Sequence, residues 1–393
     1  MESSQTVVSF ILPVVQKIKY TPKDGKIIIP QFEELGKCII EAKNLYNKPS
    51  REDKKQFQQI IRLFNHSVTF RRTLSTKYNT RGVSNAWLKA YEIFDHFNLF
   101  PKEADKFVMF DNAAFPGSFI LAGHHFVTTK CLIQNFDWYA SSMISKDEHN
   151  TLLEDEYRLY QNYSTRWLMN EKNNGDVTQI ETQREFARVL GGKVDLYTSD
   201  LGFDVSENYN NQEQIHAKAN LGQIISGLLT LKEGGSMVIK QYSFLEPFTI
   251  SLMAIMTKIF SRVEICKPMF SKSGNSETYL VCLNYKSLPF LSEILLDRLN
   301  NWSLNPLCTI DDENFISAII QAQMSFSTKQ IKTLNKTFAE YNRLKDKNMT
   351  TREILQVNRF AKQNNLDLKK WLSIHKLVKM PQHLKLDTIN QKN

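Results

Sequence analysis

Asp200, Lys240 and Glu277 stand at the edges of three short apolar runs, KVDLYTSD (193–200), SMVIKQY (236–242) and TYLVCLNY (278–285). An ammonium that ends such a run gives up water, which costs several kcal/mol unless acidic neighbours compensate it. Asp200 and Glu277 are placed to do so. The group is either a structural ion-pair cluster or a reacting site in which a lysine between carboxylates handles a proton or a developing charge. Two further segments carry candidate contacts. VMFDNAAFPGSF (108–119) runs from a strand into a turn holding Pro116 and Gly117, with Asp111 at the strand end. A dinucleotide fingerprint needs three spaced glycines, and this segment has one. It offers an acid for a cationic amino-acid moiety, with Asn112 beside it, and a glycine that lets backbone approach a ligand. An Asp at such a junction is also a common turn residue. NNGDVT (173–178) is a turn, or else a loop in which Asp176 accepts a hydrogen bond from an adenine amino group.

These residues need a frame. KFVMFD (106–111), KVDLYTSD, SMVIKQY, VEICKP (263–268) and TYLVCLNY have strand character. NAWLKAYEIFDHF, EQIHAKANLGQIISGLLTL and PFTISLMAIMTKIF between them have helical character. Alternating strands and helices predict an α/β fold, a largely parallel sheet covered on both faces. Ligands bind such sheets beyond the carboxyl ends of the strands, where Asp111, Asp200 and Lys240 fall.

The flanks differ. Residues 1–80 mix apolar and basic residues, with helical spacing in Phe32-Leu35-Ile39 and Phe57-Ile60-Ile61-Phe64. FRRTLSTKYNTRG then gathers Arg71, Arg72, Lys77 and Arg81 just before the α/β region. These basic residues either contact RNA phosphates or pair with acidic groups of the core. After Tyr285 no strand pattern recurs, and residues from 301 onward carry fifteen Lys and Arg against eight Asp and Glu. LDLKKWLSIHKLVK sets Leu366, Trp371, Ile374 and Leu377 near one helical face, either packed on the core or presented to RNA or a partner. Predicted divisions are 1–80, a mainly helical extension; 81–290, the α/β domain; and 291–393, a basic helical extension.

A net charge of +9 and a pI near 9.1 suit a polyanionic partner. The five cysteines are scattered and form no C-x-x-C pair, which argues against a disulfide framework or a zinc site. His124 and His125, adjacent on one helix, face different sides of it and are poor joint metal ligands. The amino-terminal MESSQTVVSFILPVVQKIKY has no basic leader and contains Pro13, so no signal peptide is expected. No run reaches the about 18 apolar residues of a membrane span. A reducing aqueous compartment is expected.

Six segments in register resemble the FtsJ-like methyltransferases: NAWLKAYEIF, FDNAAFPGSF, NNGDVT, LYTSDLGFDV, GGSMVIKQYSFLEPFTISL and ICKPMFSKSGNSETYLVC. Together they cover about 81–286. The last series is most similar to cap-specific mRNA ribose methyltransferases of eukaryotes and viruses, and AWLKAYE, DWYASS and LYQN resemble proteins of large cytoplasmic DNA viruses. The resemblance implies a class I S-adenosylmethionine-dependent fold and methylation of an RNA ribose 2′-hydroxyl, with the cap-proximal nucleotide of mRNA as the leading target. Alternatives are ribosomal or transfer RNA ribose methylation, or a non-catalytic RNA-binding scaffold. It implies Lys89, Asp200, Lys240 and Glu277 as catalytic residues, with Lys240 activating the hydroxyl as a base or as a cation. Asp111, Ala114, Pro116 and Gly117 fall on the cofactor motif, and Asp176 on the adenine contact. Ser118 and Leu201 depart from glycines common in the family, and Asp137 is the nearest candidate for an acidic ribose contact. Expected partners are capped RNA and a capping enzyme or polymerase. The expected site is cytoplasmic, in a viral factory or virion, with the nucleus as the alternative.

Overall fold

A computed structural model of the chain describes residues 6–20, 26–49, 53, 56–58, 67–144, 154–169, 173–203, 209–345 and 358–386. Ile60, Ile61 and Phe64 of the amino-terminal helical pattern lie outside them. A seven-stranded sheet forms the centre. Its strands are β1 (Val7–Leu12), β3 (Glu103–Asn112), β4 (Leu132–Ser141), β5 (Val194–Ser199), β6 (Leu231–Gln241), β7 (Phe260–Pro268) and β8 (Thr278–Tyr285). They lie in the order β1-β7-β8-β6-β5-β3-β4. The neighbours β6, β5, β3 and β4 pair in parallel. β8 runs antiparallel to both β6 and β7, and β1 is antiparallel to β7 at the edge. β2 (Ile18–Tyr20) pairs separately with β9 (Cys308–Ile310).

The sequence pattern predicted none of β1, β2, β4 and β9. β4 is a half-exposed edge strand whose Gln134, Asn135 and Asp137 break its apolar run. The others are short or pair with a partner far away in sequence: Val7 faces Pro268, and Ile18 faces Ile310. Such pairing leaves no local periodic signal beyond an apolar stretch.

Side-chain alternation divides the sheet between two cores. Val108, Phe110, Met237, Ile239, Leu280 and Cys282 point to one. Met109, Val238, Tyr279 and Val281 point to the other. Helices α1 (Pro30–Asn44), α5 (Ile180–Leu190), α6 (Gln212–Thr230), α7 (Pro247–Ile259), α8 (Pro289–Asn300) and α9 (Glu313–Lys345) cover the first face. Helices α2 (Ser67–Lys77), α3 (Asn85–His96), α4 (Ser118–Lys130) and α10 (Asn358–His375) cover the second.

The same alternation places Lys240 with Val238, and Glu277 with Tyr279, under α3. This helix starts at Ser84, whose Oγ accepts the Trp87 amide at 3.1 Å, an N-cap bond that satisfies one of the first free donors. From Trp87 to Phe94 every side chain of α3 is buried, so Lys89 and Glu92 sit in the interior.

Helix α10 packs on the core under α3. Its buried face is Leu368, Trp371 and His375, while Leu366 is 52% exposed. The face inferred from the sequence is therefore offset at its start. Trp371 Nε1 donates to Glu92 Oε1 at 3.0 Å, which fixes the rotation of the helix. No helix among the described residues is long and apolar enough to cross a membrane.

Candidate active site

Four charged side chains converge at the carboxyl end of the parallel strands. Lys89 Nζ lies 3.2 Å from Asp200 Oδ2 and 3.1 Å from Glu277 Oε1. Lys240 Nζ lies 3.3 Å from Asp200 Oδ1 and donates to the Asp200 carbonyl at 2.8 Å. The Tyr279 hydroxyl donates to Asp200 Oδ1 at 2.6 Å. Helix α3, the end of β5, β6 and the turn before β8 thus each supply one charge; strand-end spacing pointed to the last three, and only the family resemblance to Lys89. Tyr279 had no predicted role. Its only sequence signal is its place two residues after Glu277 on an alternating strand.

Burial works to raise the Asp200 carboxyl, but Lys240, Lys89 and the Tyr279 hydroxyl together hold it down at about 2. Burial likewise works to raise Glu277, and Lys89 outweighs it despite repulsion from Asp200, leaving Glu277 below the usual carboxylate range. Both acids are therefore charged at neutral pH, and two lysines share them.

A cleft of about 540 Å³ opens beside this cluster, lined in part by Lys89, Asp200, Asp111, Ala114, Pro116 and Arg71. Asp111 ends β3 on the α3 side of the sheet, and Thr198 Oγ1 donates to its Oδ1 at 2.7 Å. Burial pushes Asp111 well above the usual carboxylate range against that bond, and the charge of Asp200 adds to the rise. A cation placed against Asp111 would reverse this. Asn112 faces the other way, its Nδ2 donating to the Tyr197 hydroxyl at 3.0 Å, and does not share in the cleft.

Gly117 precedes α4 with φ 111°, a backbone state unfavourable for other residues, and a Cβ there would lie 2.3 Å from Leu159 Cδ1. Asn85 Oδ1 on the cleft wall and Ser141 Oγ at the end of β4 are buried oxygens with no hydrogen-bond partner among the described residues. A polar ligand would satisfy such atoms. An acid awaiting a cation, a tight turn and unsatisfied oxygens together fit a charged, amino-acid-bearing cofactor.

Asp176 sits in a turn, where its Oδ1 accepts from Thr178 N at 2.9 Å and Thr178 Oγ1 at 2.8 Å, and its Oδ2 accepts from Gln179 Nε2 at 3.1 Å. Asp137 lies four residues before the end of β4, is ion-paired to Arg166 and is not on the cleft wall. Arg71 reaches the cleft, and Arg72 and Lys77 are exposed on α2. Arg81 is half-buried and donates to the Tyr157 carbonyl at 2.5 Å, tying the loop before α3 to the segment around Tyr157. Burial pushes the His124 and His125 imidazoles down to about 4 and about 3.

The residues from 82 to 285 match the FtsJ-like methyltransferase family. The chain belongs to that family. Its sheet is the class I methyltransferase fold, and its cofactor is S-adenosyl-L-methionine. Over 321 residues it is 33% identical to a probable methyltransferase of African swine fever virus, covering 77% of this chain and 74% of that one. An uncharacterized protein of Acanthamoeba polyphaga mimivirus is 34% identical over 68% of this chain and 35% of its own length. The cap-specific mRNA (nucleoside-2′-O-)-methyltransferase 2 of Danio rerio is 29% identical over 83% of this chain and 46% of its own length.

Gly202 escaped the sequence reading. A Cβ on it would lie 2.7 Å from Lys240 Nζ and 2.8 Å from the Tyr242 hydroxyl. Both are ends of side chains that can move, so Gly202→Ala should leave the melting temperature nearly unchanged. It should still displace Lys240, and a shift near 1 Å in a reacting group costs about 10²-fold in rate. Single-turnover methyl transfer beside a thermal melt tests this methyltransferase variant; a normal rate would show that Gly202 is only a loop residue.

Proposed function

We propose that the chain transfers a methyl group from S-adenosyl-L-methionine to a ribose 2′-hydroxyl of RNA, at the cap-proximal nucleotide of mRNA. The observation that carries this reading is the Lys89-Asp200-Lys240-Glu277 cluster beside the cleft. A hydroxyl is a weak nucleophile and must lose its proton as the new carbon–oxygen bond forms, which a lysine held in fixed geometry can assist. When bound, the cofactor supplies an electrophilic methyl group on a sulfonium. Lys240 meets the 2′-hydroxyl, either taking its proton or balancing the oxygen's developing charge. Asp200 fixes Lys240 through its carboxylate and its carbonyl. Lys89, itself anchored by Glu277, holds Asp200 in place and sets the local potential.

Asp111, Ala114, Pro116 and Gly117 would hold the amino-acid end of the cofactor, and Asp176 the adenine amino group. The turn bonds of Asp176 leave lone pairs on its carboxylate for that contact. The cap-proximal target rests on the likeness to a cap-specific relative and on the basic charge of the chain. A virus-associated setting accords with the viral relative, and a cytoplasmic site with a capping partner belongs to the same proposal.

The deciding experiment is labelled methyl transfer onto short capped and uncapped RNAs, followed by nucleoside analysis. A 2′-O-methyl nucleoside next to the cap is expected. Label on a base, or equal labelling of uncapped RNA, would overturn the cap-proximal reading. No transfer to any RNA despite cofactor binding would favour a scaffold role.

RNA that reaches Lys240 would cross Arg71, which lines the cleft, and its exposed neighbour Arg72. Each neutralised phosphate contributes about 0.7 to the slope of log affinity against log salt for a single strand. Arg71→Ala with Arg72→Ala should therefore weaken RNA binding at low salt and flatten that slope by about one unit or more. Anisotropy with a capped oligonucleotide across a salt series checks it, and equal slopes would remove α2 from the RNA path.

A further inference from the structure

The family match spans 82–285, yet side chains beyond it reach the elements that carry the site. Helix α9 buries Phe315, Ile319, Ala322 and Phe326 in the core, as an amphipathic helix does. It also buries Gln323, Ser327 and Gln330, at 3%, 1% and 3% exposure. Spacings of four and three residues put these polar groups on one face. Buried amides without partners cost free energy, so their partners matter.

Gln323 Oε1 accepts the Phe244 amide at 3.0 Å, just past the strand that ends with Lys240 and Gln241, and Gln323 Nε2 donates to Ser327 Oγ at 2.7 Å. Gln330 Nε2 donates to Ser276 Oγ at 3.2 Å and to the Gly274 carbonyl at 3.4 Å. Ser276 directly precedes Glu277.

Lys267 grips the same turn from inside. Its Nζ donates to the Asn275 carbonyl at 3.0 Å, to Asn275 Oδ1 at 3.1 Å and to the Glu277 carbonyl. Burial pushes this ammonium down to about 7, against the pull of the Glu277 carboxylate and with Lys329 and Lys89 adding to the fall. An apolar side chain of the same volume would fill the position without that desolvation cost. What the lysine adds is its set of bonds to the turn that presents Glu277.

We propose that Lys267, Gln323 and Gln330 are positioning residues, a buried polar clamp through which α9 sets the relative placement of Lys240 and Glu277. The segment beyond the matched family region is then part of the reacting machinery. The inference rests on the methyl-transfer function proposed above.

Lys267→Met and Gln330→Leu in the full chain test it, with Ile319→Ala as a control that loosens α9 packing without touching the turn. The clamp variants should lose about 10²-fold in single-turnover rate, the cost of a small misplacement, while cofactor affinity and RNA KM stay put. Hydrogen exchange across 270–278 should rise in both. The control should melt earlier yet keep its rate per folded molecule and its turn protection. A rate that simply follows the folded fraction in all three variants, or unchanged exchange at the turn, would overturn the clamp. Because exchange needs no RNA, it tests the clamp even if the wild type proves inactive on ribose hydroxyls, a result that would overturn the substrate reading alone. If Lys267→Met does not fold, Gln330→Leu decides.

Discussion

Lys240→Met is expected to lower the single-turnover rate of methyl transfer by about 10²–10⁴-fold, the usual contribution of a positioned proton-handling group. The fold should survive. Asp200 keeps Lys89 at 3.2 Å and the Tyr279 hydroxyl at 2.6 Å, so its carboxylate remains compensated when the second ammonium is gone. Cofactor affinity should survive too, because Lys240 is not among the residues that line the cleft at Asp111 and Ala114. Calorimetric titration of the cofactor alongside the rate separates the cases. Loss of both would make Lys240 a structural ion-pair partner, and near-normal turnover at saturating RNA would move the proton to another group. The sharper the separation between rate and binding, the more the cluster acts on the reacting hydroxyl alone.

How much of this site was legible before the fold was known follows from the reach of each interaction. Asp200, Lys240 and Glu277 announce themselves because a charge that terminates an apolar strand is a local pattern, and strand alternation then fixes its side of the sheet. Lys89 does not: on a helix that carries Glu92, Asp95 and His96 as well, only likeness to a family marks one lysine out. Gly202 gives no signal, since what matters is the space above it, filled by the ends of Lys240 and Tyr242. Gln323 and Gln330 look like solvated positions of an amphipathic helix, and only their partners at Phe244 and Ser276 show them to be buried. Arg81 belongs to a basic cluster in the sequence, but its bond to the Tyr157 carbonyl gives it a local structural task. β2 is the extreme case, three residues whose role depends on a strand some 290 positions later along the chain. Chemistry carried by one element is visible in sequence; chemistry made by the approach of two distant elements is not.

Lys89→Met should be the most destabilising single change in the site. The ammonium lies between Asp200 and Glu277, both largely buried, with side-chain exposures of 17% and 13%. Removing it leaves Asp200 with Lys240 but leaves Glu277 without its nearest cation. Breaking a buried pair from one side costs about 3–5 kcal/mol, because the remaining charge stays in a poor solvent. The loss should depend on pH in a definite direction. In the wild type Glu277 is held below its ordinary value, so its contribution is present above the carboxylate range and fades as pH falls through the lowered value. Without Lys89, burial and the repulsion of Asp200 dominate, and the Glu277 value rises instead. The variant then binds a proton more readily when folded than when unfolded, and gains stability as pH falls through that raised value toward the ordinary carboxylate range. The gap between wild type and Lys89→Met should therefore be widest at neutral pH and narrow in mild acid. Glu277→Gln added to Lys89→Met should recover part of the stability at neutral pH and remove most of this pH dependence. Denaturant melts of the three proteins across that range measure it. A gap that stays constant with pH would mean that Lys89 stabilises the fold through packing alone, and that Glu277 already finds its charge compensation elsewhere, with Lys240 and Lys267 the candidates.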